Sequence, residues 1–435
     1  MRRKVMVFSG GAYAGVEVCR ALRDSLLFQP VPSSSYPDHS GFISEEYLEN
    51  LPYTGDEDFT EKLNAVIDDN NIEFIIPTHD TIALTLAESA DRLHAKVVCS
   101  PKETARLCRY KGLCYEALKG EFYMPAVYKS PAEIKDGDYP IIIKPDEGQG
   151  TRGVVRADNK QELERALEAE KAPVICEYLP GDEYTVDCFT NSKRELIFVN
   201  PRKRSRIMNG ISARAECVED AGEFTEIAEK VNSKLVFRGY WFIQLKRDKD
   251  GKLKLLELCT RFSGTFNHSQ ALGVNLPLLA LCDFAGMDVS VVKNRYNVVS
   301  DKTYIDRFRI DYDYRRVYID YDDTVTSKNG TEANPYVLAF LYQCRAKNKE
   351  TVLITRHASS KDDSLSDNMK KLAISPLLFD RIVELEWTDR KTDFIDSEVP
   401  GIYIDNSFAE RKIVAEKTGM PVFDVCHIDC LFDWR

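Results

Sequence analysis

Short apolar runs separated by amphipathic stretches recur through the first 180 residues, and they have the length and composition of buried strands. Residues 4–9 (KVMVFS), 73–77 (EFIIP), 141–143 (III) and 174–179 (VICEYL) are the clearest. Between them, apolar positions at helical spacing predict helices over residues 16–25, 58–70, 100–118 and 160–171. Residues 30–52 are rich in Pro, Ser and Gly and read as a long loop. Alternating strands and helices predict a small parallel α/β sheet at the N-terminus. Past residue 180 the period changes. Residues 184–189 alternate as a strand, and residues 240–245 and 252–258 flank Asp-Lys-Asp-Gly, which predicts a hairpin. That hairpin puts Gln244 and Glu257 on neighbouring antiparallel strands, where facing side chains converge. From about residue 316 the α/β alternation returns, with strands at 317–319, 351–354 and 401–404 and a helix at 335–346.

The 435 residues exceed one compact core, so several domains are expected. A content of 43% apolar and 30% charged residues is that of an ordinary globular protein. A net charge of −11 without a basic tract argues against nucleic acid as the main partner. No window approaches the ~20 apolar residues of a membrane span, and the short apolar run after Met1 is a first strand rather than a signal peptide. The 12 cysteines are scattered without a C-x-x-C pair, which fits reduced thiols and a cytoplasmic location.

The chemistry concentrates after the strand at 141–143. It delivers Lys144, and a loop follows with Gly148, Gly150, Thr151 and Gly153. Glycines let backbone N–H groups approach an oxyanion, and a strand-borne ammonium beside them suits a polyphosphate. The loop is not a Walker A motif, since no Gly-Lys-Ser/Thr closes it. A solvated glycine hairpin is the bland alternative. Gly10, Gly11 and Gly15 lack the dinucleotide spacing and read as a strand-to-helix turn. Thr78 and Asp80 follow a strand end, where such sheets place ligands, although Asp80 is equally suited to capping the next helix. Residues 200–215 are strongly basic and read as a mobile segment that is either a solvated face or an anion-gripping loop.

Lys111, Lys144, the glycine loop, the Glu177-Tyr178-Leu179 stretch before Glu183, and Gln244 with Glu257-Leu-Cys-Thr-Arg261 together resemble the ATP-grasp enzymes, in particular carboxylate–amine ligases of the carbamoyl-phosphate synthase large-chain type. The resemblance covers about residues 1–300. It implies a pre-ATP-grasp α/β domain over residues 1–100 and an ATP-grasp domain over 101–300. It further implies ATP and Mg²⁺ as cofactors. Lys111, Lys144, Gly148, Gly150, Thr151 and Gly153 then hold phosphates, Glu177, Tyr178 and Leu179 read adenine, and Glu183 binds ribose. Gln244 and Glu257 ligate magnesium, and Arg261 holds the acyl substrate or its phosphate. The metal motif of that family is usually E-x-N-x-R, and Cys259 stands here where its Asn belongs. A thiol is a poor Mg²⁺ ligand, so either one metal is lost or another oxygen replaces it.

After a charged, tyrosine-rich connector at 301–315, the strand at 317–319 ends in Asp320-Tyr-Asp322-Asp323-Thr324. Two carboxylates at i and i+2 can serve one cleft, one as nucleophile and the other as acid/base. Thr355, Lys391 and Asp405 follow in order, two of them at strand ends. This set resembles the haloacid dehalogenase-like phosphatases, over residues 316–435, which implies a Rossmann-like α/β domain. It casts Asp320 as nucleophile, Asp322 as acid/base, Thr355 and Lys391 as phosphoryl stabilisers, and Asp405 as a Mg²⁺ ligand with Asp320 and the Asp322 carbonyl. Asn406 replaces a second acidic residue common beside the metal aspartate.

The fold class expected is α/β and α+β throughout. The function expected is a Mg-ATP-dependent ligase that activates a carboxylate for attack by an amine, fused to a phosphatase acting on a phosphorylated metabolite. An ATP-binding regulatory protein without ligation and a small-metabolite kinase are the alternatives. The expected partners are small molecules, with neither nucleic acid nor membrane, and a homodimer is a possible assembly.

Overall fold

The structure is a computed structural model that describes residues 2–148, 150–169, 172–208, 210–303, 305–357 and 363–433. The chain forms two compact units, residues 1–304 and 305–435.

The first unit begins with four parallel strands in the order Phe28–Ser33, Arg3–Phe8, Ile72–Pro77, Lys96–Val97. Its central strands are apolar without alternation because both faces are covered. Val5, Val7, Phe74 and Ile76 pack with Val18 and Leu22 of helix Tyr13–Leu22. Met6, Phe8 and Ile75 face the other way, onto Leu63 and Ile67 of helix Phe59–Asn70 and Leu86 of helix Asp80–Ser89. The expected loop at 30–52 starts later than its composition suggests. Pro30 and Pro32 lie in a strand opposite Val5 and Val7, and the missing proline N–H groups are tolerated because that strand is the sheet edge.

Two antiparallel sheets follow. The smaller has the order Val127–Tyr128, Pro173–Glu177, Ile141–Pro145, Val155–Ala157. The larger has six strands in the order Leu253–Cys259, Gly239–Arg247, Glu183–Thr190, Leu196–Met208, Ile211–Cys217, Val299–Asp301. Helix Glu223–Lys234 covers it, with Phe224, Ile227 and Val231 against Val186, Trp241 and Ile243.

Several sequence expectations change here. The basic stretch at 200–215 is no mobile segment but the core of two long paired strands. Arg202 and Arg204 are buried, whereas beyond a register shift between Arg204 and Arg206 the charges lie outside, and Arg206 and Arg214 pair with Asp301. The helix expected over 100–118 is two helices, Lys102–Arg109 and Lys111–Ala117, broken at Tyr110, whose backbone is extended. The connector starts inside the first unit, because Val299–Asp301 is an edge strand of the large sheet. Helix Lys160–Ala169 accounts for most of the expected 160–171, and residues 170 and 171 lie outside the described residues.

The second unit is a five-stranded parallel sheet ordered Arg381–Glu384, Glu350–Thr355, Arg316–Ile319, Gly401–Ile404, Val422–Phe423. Helices Pro335–Ala346 and Leu365–Lys371 cover one face through Val337, Phe340 and Leu365. Helix Phe408–Thr418 covers the other through Val414. Of the middle three strands one ends on Thr355 and the other two lead directly into Asp320 and Asp405, at the carboxyl edge where parallel sheets bind ligands. Among the described residues no helix is long and apolar enough to cross a membrane, and all twelve cysteines are free.

Candidate functional site

A cavity of about 520 Å³ in the first unit is lined from both antiparallel sheets and from the ends of the N-terminal parallel strands. Lys144, at the end of strand Ile141–Pro145, is buried, and its Nζ donates to the Tyr115 hydroxyl at 2.6 Å and the Leu256 carbonyl at 3.3 Å. Burial alone would lower its pKa, but the Tyr115 oxygen, Cys176 and Glu257 outweigh it and raise the value, so the site presents a fixed cation. Lys111 opens the helix that carries Tyr115 and donates to the Gly148 carbonyl at 3.0 Å. Gly150, Thr151 and Gly153 all take left-handed backbone angles. Gln149 lies outside the described residues.

This loop touches the turn of the basic hairpin. A Cβ on Gly210 would sit 2.3 Å from the Gly150 carbonyl carbon, and its φ of +75° is already in the left-handed region. Gly210→Ala is therefore expected to cost about 1–2 kcal/mol from backbone strain alone, and to separate the turn from the loop. Denaturant unfolding together with faster hydrogen exchange at residues 150–154 is the check; unchanged exchange there would contradict the contact.

Glu177 accepts the Ala126 N–H at 2.9 Å, Tyr178 lies 4.5 Å from the Arg156 guanidinium, and Leu179 is buried. The chain then turns at Gly181, where a Cβ would meet Arg247 at 2.7 Å. Beyond that turn Glu183 pairs with Arg204, whose guanidinium also donates to Gln244 Oε1 at 3.2 Å and the Gly210 carbonyl at 2.8 Å. Arg204 thus ties together residues that the sequence had placed in separate roles. The only hint of this was its place in an alternating run. Gln244 and Glu257 are register partners on adjacent strands.

Arg261 is held fork-to-fork by Asp80, with both bonds at 2.9 Å, and its guanidinium lies 5.4 Å from the Phe242 ring. His79, not Asp80, caps the following helix by accepting the Thr81 N–H. The capping reading of Asp80 is therefore replaced by an ion pair. Burial acts against the ionised Asp80, yet Arg261 holds its carboxyl below the usual range. Cys259 is buried, and burial with Glu257 and Asp80 nearby pushes its thiol well above the ordinary value. A protonated, buried thiol is no magnesium ligand.

A profile of the family described as "ATP-grasp in the biosynthetic pathway with Ter operon" matches residues 169–304. The arginine-specific large chain of carbamoyl phosphate synthase from Bacillus subtilis is 24% identical over 272 residues, covering 55% of this chain and 25% of that one. The D-alanine–D-alanine ligase of Fusobacterium nucleatum is 27% identical over 125 residues, 26% of this chain and 43% of the ligase. The chain therefore spans less than half the length of either. The biotin carboxylase domain of 2-oxoglutarate carboxylase from Hydrogenobacter thermophilus, solved with MgADP, ADP and bicarbonate, superposes with a TM-score of 0.58 at 16% identity over 69% of this chain and 74% of that one. The first unit has an ATP-grasp ligase fold. The cavity lies between its two antiparallel sheets.

In the second unit, Lys391 Nζ lies between Asp320 and Asp405, at 2.6 and 2.7 Å, and all three side chains are buried. Tyr403, which the sequence did not single out, donates to Asp405 as well. Burial pushes the Asp320 carboxyl up to about 7 against the pull of Lys391, and Asp405 adds to the rise. Thr355 is buried, and its hydroxyl accepts the His357 N–H at 3.1 Å. Asp322 turns aside to His357, 2.9 Å away, so Asp320, Asp322 and Asp405 do not form a three-carboxylate cage. Among the described residues no cluster of three or more His, Cys, Asp or Glu side chains is placed to hold a metal. Two buried carboxylates sharing one ammonium are nonetheless hard oxygen donors short of positive charge, a set that suits Mg²⁺.

Proposed function

We propose that the first unit is a Mg-ATP-dependent ligase that activates a small carboxylate as an acyl phosphate for attack by an amine. The observation that carries this reading is the buried Lys144 ammonium beside the glycine loop, in the cleft of an ATP-grasp fold. In this reading Lys111, Lys144 and residues 148–153 hold the ATP phosphates. Residues 177–179 pack against adenine, and Glu183, released from Arg204, takes the ribose. Arg204 is then free to turn its fork to phosphate oxygens, as an arginine among anions does. Gln244 and Glu257 are the hard oxygens that would hold Mg²⁺, which neutralises phosphate charge as phosphoryl transfer proceeds. Arg261 positions the acyl group, and Asp80 keeps its planar fork oriented until the substrate arrives.

The test is ADP release from ATP and Mg²⁺ with panels of small acids and amines. Release that needs both an acid and an amine supports ligation; ATP binding without any release favours a nucleotide-binding regulatory role, the reading that Cys259 favours. Cys259→Asn is expected to raise Mg²⁺-dependent ADP release at least severalfold, because it restores an oxygen ligand. A fall in turnover with an unchanged melting curve would assign the thiol a role of its own.

For the second unit the same reading assigns a Mg²⁺-dependent phosphatase. Asp320 attacks phosphorus and forms an aspartyl-phosphate while the bond to the leaving oxygen breaks. Asp322 gives that oxygen its proton, then takes one from the water that attacks phosphorus and frees Asp320. Lys391, within hydrogen-bonding distance of Asp320, offsets the phosphoryl charge. The two carboxylates gathered around Lys391 at the carboxyl edge of the parallel sheet support this assignment.

A further inference from the structure

The residue after Thr355-Arg356 is absorbed by none of these roles. His357 is 1% exposed, and its Nδ1 lies 2.9 Å from Asp322 Oδ1. Its other nitrogen, Nε2, lies 3.4 Å from Asp363 Oδ1. Asp363 in turn accepts from Asn368 Nδ2 at 2.8 Å, and Asn368 Oδ1 accepts the Tyr321 hydroxyl at 3.0 Å. Tyr321 closes the circuit, packing edge-on to the His357 ring with centroids 5.3 Å apart. The His357 backbone is pinned as well, since its N–H donates to Thr355. Turning the ring would break its Asp322 contact and its edge-on packing against Tyr321.

We infer that His357 is a positioning residue for the phosphatase reaction: it fixes the Asp322 carboxyl in the rotamer from which that acid protonates the leaving group. The inference rests on the phosphatase reading above. Its physical basis is the division of labour between two oxygens. With the acid proton on Oδ2, Oδ1 is a carbonyl-type oxygen that only accepts, so in the acid form the proton of the 2.9 Å contact belongs to His357 Nδ1. That bond engages Oδ1 and leaves Oδ2 to carry the proton for transfer. An aspartate on a turn otherwise samples two or three rotamers, and only one presents the acid correctly. The proton of His357 is not itself transferred; Asp322 loses its proton to the leaving oxygen and regains one from water, as written above.

Leaving-group dependence separates this role from a merely structural one. A phenol needs protonation as it departs, whereas 2,4-dinitrophenolate leaves without help. His357→Ala is expected to lower kcat/KM for phenyl phosphate about 10- to 100-fold, part of the ~10²–10⁴ a positioned general acid supplies, and for 2,4-dinitrophenyl phosphate less than about 3-fold. His357→Asn should recover most of the loss, because its Nδ2 stands near the position of the histidine Nδ1. His357→Gln, whose amide reaches toward the Asp363 side instead, should not. If the alanine variant does not fold, the Asn and Gln variants carry the comparison alone. An equal fall for both esters, or equal behaviour of Asn and Gln, would overturn the inference while leaving the phosphatase reading intact. Wild-type protein inert on both esters with Mg²⁺ would instead remove the phosphatase reading, and the inference with it.

Discussion

Replacing Asp320 by asparagine is expected to take p-nitrophenyl phosphate hydrolysis down to the uncatalysed rate. The amide has no anionic oxygen to form the aspartyl-phosphate, and no partial activity should survive. The substitution also removes one of the two anions bound to Lys391, so the melting curve must be recorded beside the kinetics. Burial favours the neutral form of the Asp320 carboxyl, and asparagine matches its shape, so the replacement is isosteric. Asp322→Asn should retain some activity, lowered by about 10²–10⁴-fold on phenyl phosphate, whose leaving phenol needs a proton, because the nucleophile remains and only the acid/base is lost. Equal residual rates in the two variants would refute the division of roles between them. The first unit's ATP affinity should not respond to either substitution, since the two units have separate cores.

Lys144→Met is the second large effect. Methionine nearly preserves the volume of the buried stem and deletes the charge, so packing against Tyr115 survives while the phosphate contact is lost. Charge-assisted hydrogen bonds are worth about 1.5–3 kcal/mol, so the ATP dissociation constant should rise about 10- to 100-fold in calorimetry. Tyr115 is itself held by the Leu256 carbonyl at 2.7 Å, which keeps the phenol in place in the variant. Unchanged affinity with the fold intact would refute the phosphate role of Lys144 and with it the nucleotide site in this cavity.

Much of this was legible from local pattern. Runs such as VMVF (5–8) and FII (74–76) are apolar at every position because a parallel strand is covered on both faces, and covered strands need no partner information to be recognised. The Asp-Lys-Asp-Gly turn set the register that pairs Gln244 with Glu257, since turn geometry and strand alternation are properties of adjacent residues. The order of Asp320, Thr355, Lys391 and Asp405 along the chain likewise pointed to one sheet edge.

Long-range pairing was not legible, because nothing local to a charged residue names its partner. Asp80 and Arg261 are 181 positions apart, and either alone reads as a cap or a substrate ligand. The stretch at 200–215 looked mobile from its charge. Pairing with the strand Glu183–Thr190 on one side and its own return strand on the other made it rigid and divided its arginines between the core, the cavity and the surface. His357 gave no hint as the third residue of Thr-Arg-His. The sequence by itself determined which residue types stand at the strand ends and what chemistry those types can do. The tertiary structure alone decided which of them share a cavity, because a buried charge takes whatever counter-charge the fold brings within reach, and chain distance has no part in that choice.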